Sequence, residues 1–239
     1  MGTRKTIIAI HGAGMTAGVW GGLAPHLLDH SFRPLTLPGH DPKTGTALLQ
    51  DISAMAAWVK EKIAGHPQDV VLVGHSMGAL VALAAAEAPS VVGIGLLGAA
   101  LKMPVHPDLL KSAKETPNDA IGLIIKWSVN PAHPQVGAVR TVLGSLMHAA
   151  NPAAVGCDLA ACDNFFDGAM YAGAVQKPTL VLSAEQDKMA KAVEGEALSK
   201  AIAGSDYKTL KDCGHMMMVE KPIDTAQALR DFISARLSQ

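Results

Sequence analysis

The run Val70–Val71–Leu72–Val73–Gly74–His75–Ser76–Met77–Gly78, followed by the small-residue tract Ala79 to Ala88, constrains this chain more than any other stretch. A β-branched apolar run, a Gly-x-Ser-x-Gly pentapeptide and an alanine-rich segment read in that order as strand, tight turn and helix. The pentapeptide alone is common, so the flanking strand and helix carry the inference. A serine at such a turn is forced into a strained backbone, with its hydroxyl aimed off the end of the sheet. Gly74 and Gly78 leave room for the neighbouring backbone to come close. The turn therefore presents a nucleophile.

The rest of the chain supplies a sheet for that turn. Strand-like segments recur at Thr6–Ile10, Phe32–Leu37, Val70–Val73, Val91–Leu97, Thr179–Ser183 and Asp206–Leu210. Helical patterns lie between most of them, at Trp20–Leu28, Leu48–Ala64, Ala79–Ala88 and Ala190–Ala203, and an amphipathic helix over Thr225–Leu237 closes the chain. Continuous apolar strands alternating with helices predict an α/β fold, with a mostly parallel sheet covered on both faces. The rhythm breaks at residues 101–175, where prolines 104, 107, 117, 131, 134 and 152 punctuate helical pieces such as Ala120–Val129 and Val136–His148. We expect residues 1–100 and 176–239 to form the core, with 101–175 a helical cap inserted over the carboxyl ends of the strands, where α/β proteins bind ligands.

Charge narrows the partners. With a net charge of −1 and no run of Lys or Arg, the chain lacks the footprint of a nucleic-acid binder. Its apolar stretches fall well short of the ~20 residues that span a bilayer, so no membrane association is expected. Thr6–Ile10 is too short for a signal-peptide core and reads as a buried strand. Three cysteines, Cys157, Cys162 and Cys213, suit free thiols in a reducing compartment better than a disulfide framework, so a cytoplasmic protein is expected. The histidines show no metal-ligand spacing, and neither metal nor cofactor is expected.

Several motifs together resemble the α/β-hydrolase family. His11–Gly12–Ala13–Gly14, at the end of the first strand, is similar to its oxyanion loop, and Leu37–Pro38–Gly39–His40 to the turn after its next strand. Gly74–Gly78 matches its nucleophile elbow. Leu180–Asp187 and Asp212–Cys213–Gly214–His215 resemble its acid and histidine segments. The chain departs from the family in one respect. Only five residues precede the first strand, so about six parallel strands are expected in place of the usual eight, without the N-terminal hairpin.

The resemblance implies roles residue by residue. Ser76 is the nucleophile, His215 the general base and then acid, and Asp187 the carboxylate that holds the imidazole in one tautomer, in the family's chain order Ser, Asp, His. Glu185, Asp163 and Asp167 are rival acids. The oxyanion donors are the backbone N–H of Met77 and of Ala13, with Gly14 as the alternative to Ala13. His11 and His75 brace the loops. Met216–Met217–Met218 are read equally as pocket lining or core, Trp20, Trp127, Phe165 and Phe166 as candidate pocket walls, and Cys213 as a packed thiol. These roles imply a serine hydrolase that cleaves small carboxylic esters through an acyl-enzyme. Thioesterase, lactonase, C–C hydrolase, hydroxynitrile lyase and perhydrolase activities use the same triad, and a non-catalytic receptor shares the fold. Substrate identity and oligomeric state stay open at this stage.

Overall fold

The computed structural model describes residues 4–66 and 69–237. Strands β1 (Thr6–Ile10), β2 (Ser31–Leu35), β3 (Val70–His75), β4 (Val91–Leu97), β5 (Thr179–Ala184) and β6 (Asp206–Leu210) form one sheet in the order β2-β1-β3-β4-β5-β6. Every neighbouring pair is parallel, as the near-continuous apolar strands require. Side chains alternate between the faces. Ile7, Ala9, Val71 and Val73 face one apolar layer with Trp20, Leu23 and the C-terminal helix, while Ile8, Ile10, Val70 and Leu72 face the other. The edge strands carry the exceptions. β2 contains Pro34, which has no N–H to offer a further strand, and β6 presents Asp206 and Lys208.

Helix α1 (Ile52–Ile63) begins later than the expected Leu48, because Asp51 caps it by accepting from the Ala54 N–H at 2.7 Å. Helix α2 (Met77–Ala84) starts directly at the serine turn. The helix expected over Trp20–Leu28 does not form. Two short 3-10 turns stand there instead, Ala17–Trp20 and Ala24–His26, because Gly21–Gly22 weakens a helix and Pro25 removes a donor from its interior. β2 also stops before the expected Leu37, whose N–H donates to His11 Nε2 at 3.1 Å.

Between β4 and β5 lie five helices, α3 (Pro107–Glu115), α4 (Pro117–Ser128), α5 (Val136–Ala149), α6 (Pro152–Asp163) and α7 (Gly168–Ala174). Pro107, Pro117 and Pro152 each stand at the first helical position, where the missing N–H would have no intrahelical partner. Three of the six prolines that break the α/β rhythm therefore start helices. Leu109, Ile121, Leu143 and Leu159 from this segment join the same apolar layer as Trp20 and Met216–Met218. After β5 come α8 (Ala192–Ala201), α9 (Met217–Glu220) and α10 (Pro222–Leu237). Among the described residues, no helix is long and apolar enough to cross a membrane.

Candidate active site

Ser76 joins β3 to α2 with φ 54° and ψ −121°, a left-handed conformation costly for a residue with a side chain. Close packing fixes the turn. A Cβ at Gly74 would overlap the Gly78 carbonyl, and one at Gly78 would overlap the Ile10 carbonyl, so only glycine fits at either place. The Ser76 N–H is tied to the Leu97 carbonyl at 2.9 Å. Its side chain neither caps α2 nor donates to any other described residue, and it faces a cavity.

His215 lines the same cavity, on the loop between β6 and α9. Its Nδ1–H donates to Asp187 Oδ2 at 2.7 Å, which leaves Nε2 as the lone-pair nitrogen. The other oxygen of Asp187 accepts from the Met189 and Ala190 amides at 2.8 and 2.9 Å. Burial pushes the Asp187 carboxyl up. The His215 ring and the two amides more than offset this and hold it below the usual carboxylate range. The other acids lie elsewhere. Exposed Glu185 accepts from the Asp212 N–H, Asp163 accepts from the Val105 N–H, and Asp167 stands at the start of α7.

Two neutral histidines support these loops. His75 donates from Nε2 to the His215 carbonyl at 2.9 Å and packs its ring 4.6 Å from the His215 ring. Burial, then the neighbouring His215, lowers its pKa to about 3. His11 donates from Nδ1 to the Gly12 carbonyl at 2.9 Å. Burial and the adjacent His40 lower its pKa to about 3 as well.

The backbone donors near Ser76 differ in their occupation. Among the described residues, the Ala13 and Met77 amides donate to no protein acceptor, whereas the Gly14 N–H is engaged by Asp158 Oδ2 at 2.8 Å. Two buried carboxylates shaping the site escaped the sequence reading. Glu220 accepts from the Gly214 and Met216 amides on either side of His215, and from Asn130 N–H on the inserted segment. Asp158 reaches the first loop from α6. The signal for Asp158 was a lone acidic residue inside an apolar stretch, Val155–Cys162, and for Glu220 an acid that closes one, Met216–Val219.

The cavity measures about 400 Å³. Met15, Leu109, Ile124, Leu159 and Met216 give it apolar walls, Trp127 adds an aromatic one, and among the described residues exposed Lys188 is the only Lys or Arg that lines it. The methionine triplet divides between the two expected roles. All three are fully buried, yet only Met216 lines the cavity. Trp20 and Phe165 are core residues and Phe166 is largely exposed, so of the aromatic candidates only Trp127 is a wall. Buried Cys213 has its thiol pKa pushed up by desolvation, which keeps it inert.

A parallel sheet that ends in a strained serine turn, with a histidine–carboxylate pair arriving from the last two strands, defines an α/β hydrolase. The sequence profile of the alpha/beta hydrolase family matches residues 7–228, and the chain belongs to that family. It is 33% identical over 61 residues to monoacylglycerol lipase ABHD6 of Bos taurus, a match covering 26% of this chain and 18% of that protein's length. It is 25% identical to the pimeloyl-[acyl-carrier protein] methyl ester esterase of Aromatoleum aromaticum, over 96% of this chain and 98% of the relative. Among solved structures, the enol-lactonase from Burkholderia xenovorans LB400 superposes with a TM-score of 0.86 at 20% identity, covering 98% of this chain and 92% of that one.

Proposed function

We propose that the protein is a serine hydrolase that cleaves small carboxylic esters through an acyl-enzyme, using groups of its own chain. The observation that carries this reading is the cavity shared by a strained, unengaged Ser76 and a His215 whose Nδ1–H is held by Asp187. His215 Nε2 takes the Ser76 proton as Oγ attacks the ester carbonyl. The tetrahedral oxyanion is held by the free Ala13 and Met77 amides, which the family resemblance also selects; Gly14, the alternative donor, has its N–H on Asp158. Collapse of this intermediate breaks the bond to the alcohol, which leaves with the proton from His215. Water, activated by the same nitrogen, then releases the acid and restores Ser76. The serine–histidine contact closes when substrate is bound, as such contacts commonly do.

The apolar walls favour an uncharged acyl group of modest size. The names of the relatives, a lipase, a methyl ester esterase and a lactonase, point to the same bond class. In this reading residues 101–175 form a cap that shapes the acyl site, the partner is a small ester, with no nucleic acid or membrane surface involved, and the unpaired cysteines suit the cytoplasm. The test is labelling with a fluorophosphonate, followed by turnover of p-nitrophenyl esters of graded chain length. An adduct on Ser76 that abolishes turnover is expected. Full activity in Ser76→Ala would overturn the mechanism.

A further inference from the structure

A second buried carboxylate, Asp158 on α6 of the inserted segment, is tied to the first loop. Its side chain is completely buried. Oδ2 accepts from Gly14 N–H and from His40 Nε2–H, each at 2.8 Å, while Oδ1 has no partner among the described residues. A buried carboxylate with one oxygen unpaired is a poor choice for stability alone, since an unsatisfied buried acceptor costs free energy that a neutral side chain would avoid.

His40 is the counter-charge. Its Nδ1 lies 3.2 Å from the Leu37 carbonyl and 3.1 Å from the Pro38 carbonyl, so both ring nitrogens face acceptors and both must carry protons. Burial works against that charge. Asp158 and the two carbonyls outweigh it and raise the His40 pKa. The His40 ring packs 4.7 Å from His11, which itself binds the Gly12 carbonyl. These contacts converge on Gly12–Ala13–Gly14 from both sides.

The helix that bears Asp158 is fastened to the same region. Asn151 donates its N–H to the His40 carbonyl and its Nδ2–H to the Gly39 carbonyl, both at 2.8 Å. The Cys157 thiol donates to the Leu49 carbonyl at 3.3 Å. Val155 packs against Gly14 closely enough that a Cβ there would sit 3.1 Å from its own Cβ.

We propose that Asp158 is a positioning residue for the oxyanion loop: by holding the Gly14 N–H it turns the adjacent Ala13 N–H toward the carbonyl attacked by Ser76. The inserted segment is then a working part of the catalytic loop, and α6 cannot lift away as a lid without disordering the oxyanion site. The inference rests on the serine-hydrolase reading. A displaced donor loses its effect steeply, because a misplacement near 1 Å costs about 10²-fold in rate.

Asp158→Asn keeps the size and removes the charge, and His40→Gln removes the counter-charge. Both are to be assayed on a p-nitrophenyl ester for kcat and KM, and for inhibition by an alkyl boronic acid, whose tetrahedral adduct occupies the oxyanion site. The expected result for Asp158→Asn is a ~10–100-fold fall in kcat with KM within about threefold, and boronate affinity falling in parallel. His40→Gln should show the same split, more weakly. Folded variants with kcat and boronate affinity within twofold of wild type would overturn the proposal, as would failure of both variants to fold, which would make the pair purely structural. If Asp158→Asn alone fails to fold, the His40→Gln split decides. The two readings fail separately: an active Ser76→Ala removes the hydrolase mechanism, whereas an inactive Ser76→Ala beside a normal Asp158→Asn removes only this inference.

Discussion

Lowering the pH from 7 to 5 should destabilise the protein well before its carboxylates titrate. His11 and His75 are completely buried, and their pKa values fall from the ordinary 6.5 to about 3. Below pH 6.5 the unfolded chain takes up two protons that the folded chain refuses. Stability therefore declines with falling pH by up to ~1.4 kcal/mol per unit for each group. Integrated from pH 7 to 5, the two together remove about 4 kcal/mol, a large share of the ~5–15 kcal/mol typical of a folded domain. Half-buried His30, also lowered, acts in the same direction. His40 has the opposite sign. Its raised pKa gives stability that is complete below pH 6.5 and is lost as the pH climbs through the folded value. Over the same window it offsets less than ~1 kcal/mol. Stability should thus still be rising at pH 6.5, peak above it, and fall as the pH drops. Urea titrations followed by tryptophan fluorescence should show a midpoint lower by about 1 M at pH 5 than at pH 7. His75→Asn should remove roughly half of that shift. A midpoint that does not move between pH 7 and 5, or a variant with the wild-type slope, would refute the assignment of neutral, proton-refusing histidines.

Three further outcomes follow from the packing. Glu220→Ala strands the Asn130, Gly214 and Met216 amides, and should cost about 3 kcal/mol or more, read as a drop in Tm, with kcat falling because the His215 loop loosens. Gly78→Ala pushes a Cβ into the Ile10 carbonyl, and should leave little folded protein by circular dichroism, whereas Gly137→Ala, which meets open space, should leave stability within about 0.5 kcal/mol or raise it. Leu159→Trp fills the cavity wall, so it should abolish turnover of long-chain p-nitrophenyl esters while acetate turnover survives; equal losses on both would show that Leu159 does not contact the acyl chain.

What the sequence made legible follows from the range over which each constraint acts. The six strands, their parallel pairing and the serine turn are set by local periodicity and by glycines whose neighbours lie within a few residues or on the next strand. Asp187 was separable from Glu185 because Glu185 sits where the strand ends and the family's acid lies a little beyond, and the structure brings the Asp187 carboxylate, and not that of Glu185, to His215. Trp20–Leu28 was misread because its apolar spacing outweighed the Gly-Gly pair and Pro25, which act on the backbone whatever the side chains bury. Asp158 and Glu220 were invisible for another reason. Apart from His40, their partners are backbone amides, such as Gly14 at a separation of 144 residues and Asn130 at 90, and an amide leaves no mark in the sequence. What does leave a mark is the charge itself, an acid within or closing an apolar run, which must either find donors or stay neutral. In this fold both such acids found donors in the loops that flank Ser76. Among the described residues, the buried carboxylates other than Asp187 thus reach the loops around Ser76 and His215, as expected if their desolvation is tolerated for geometry at the proposed site and not for stability of the core.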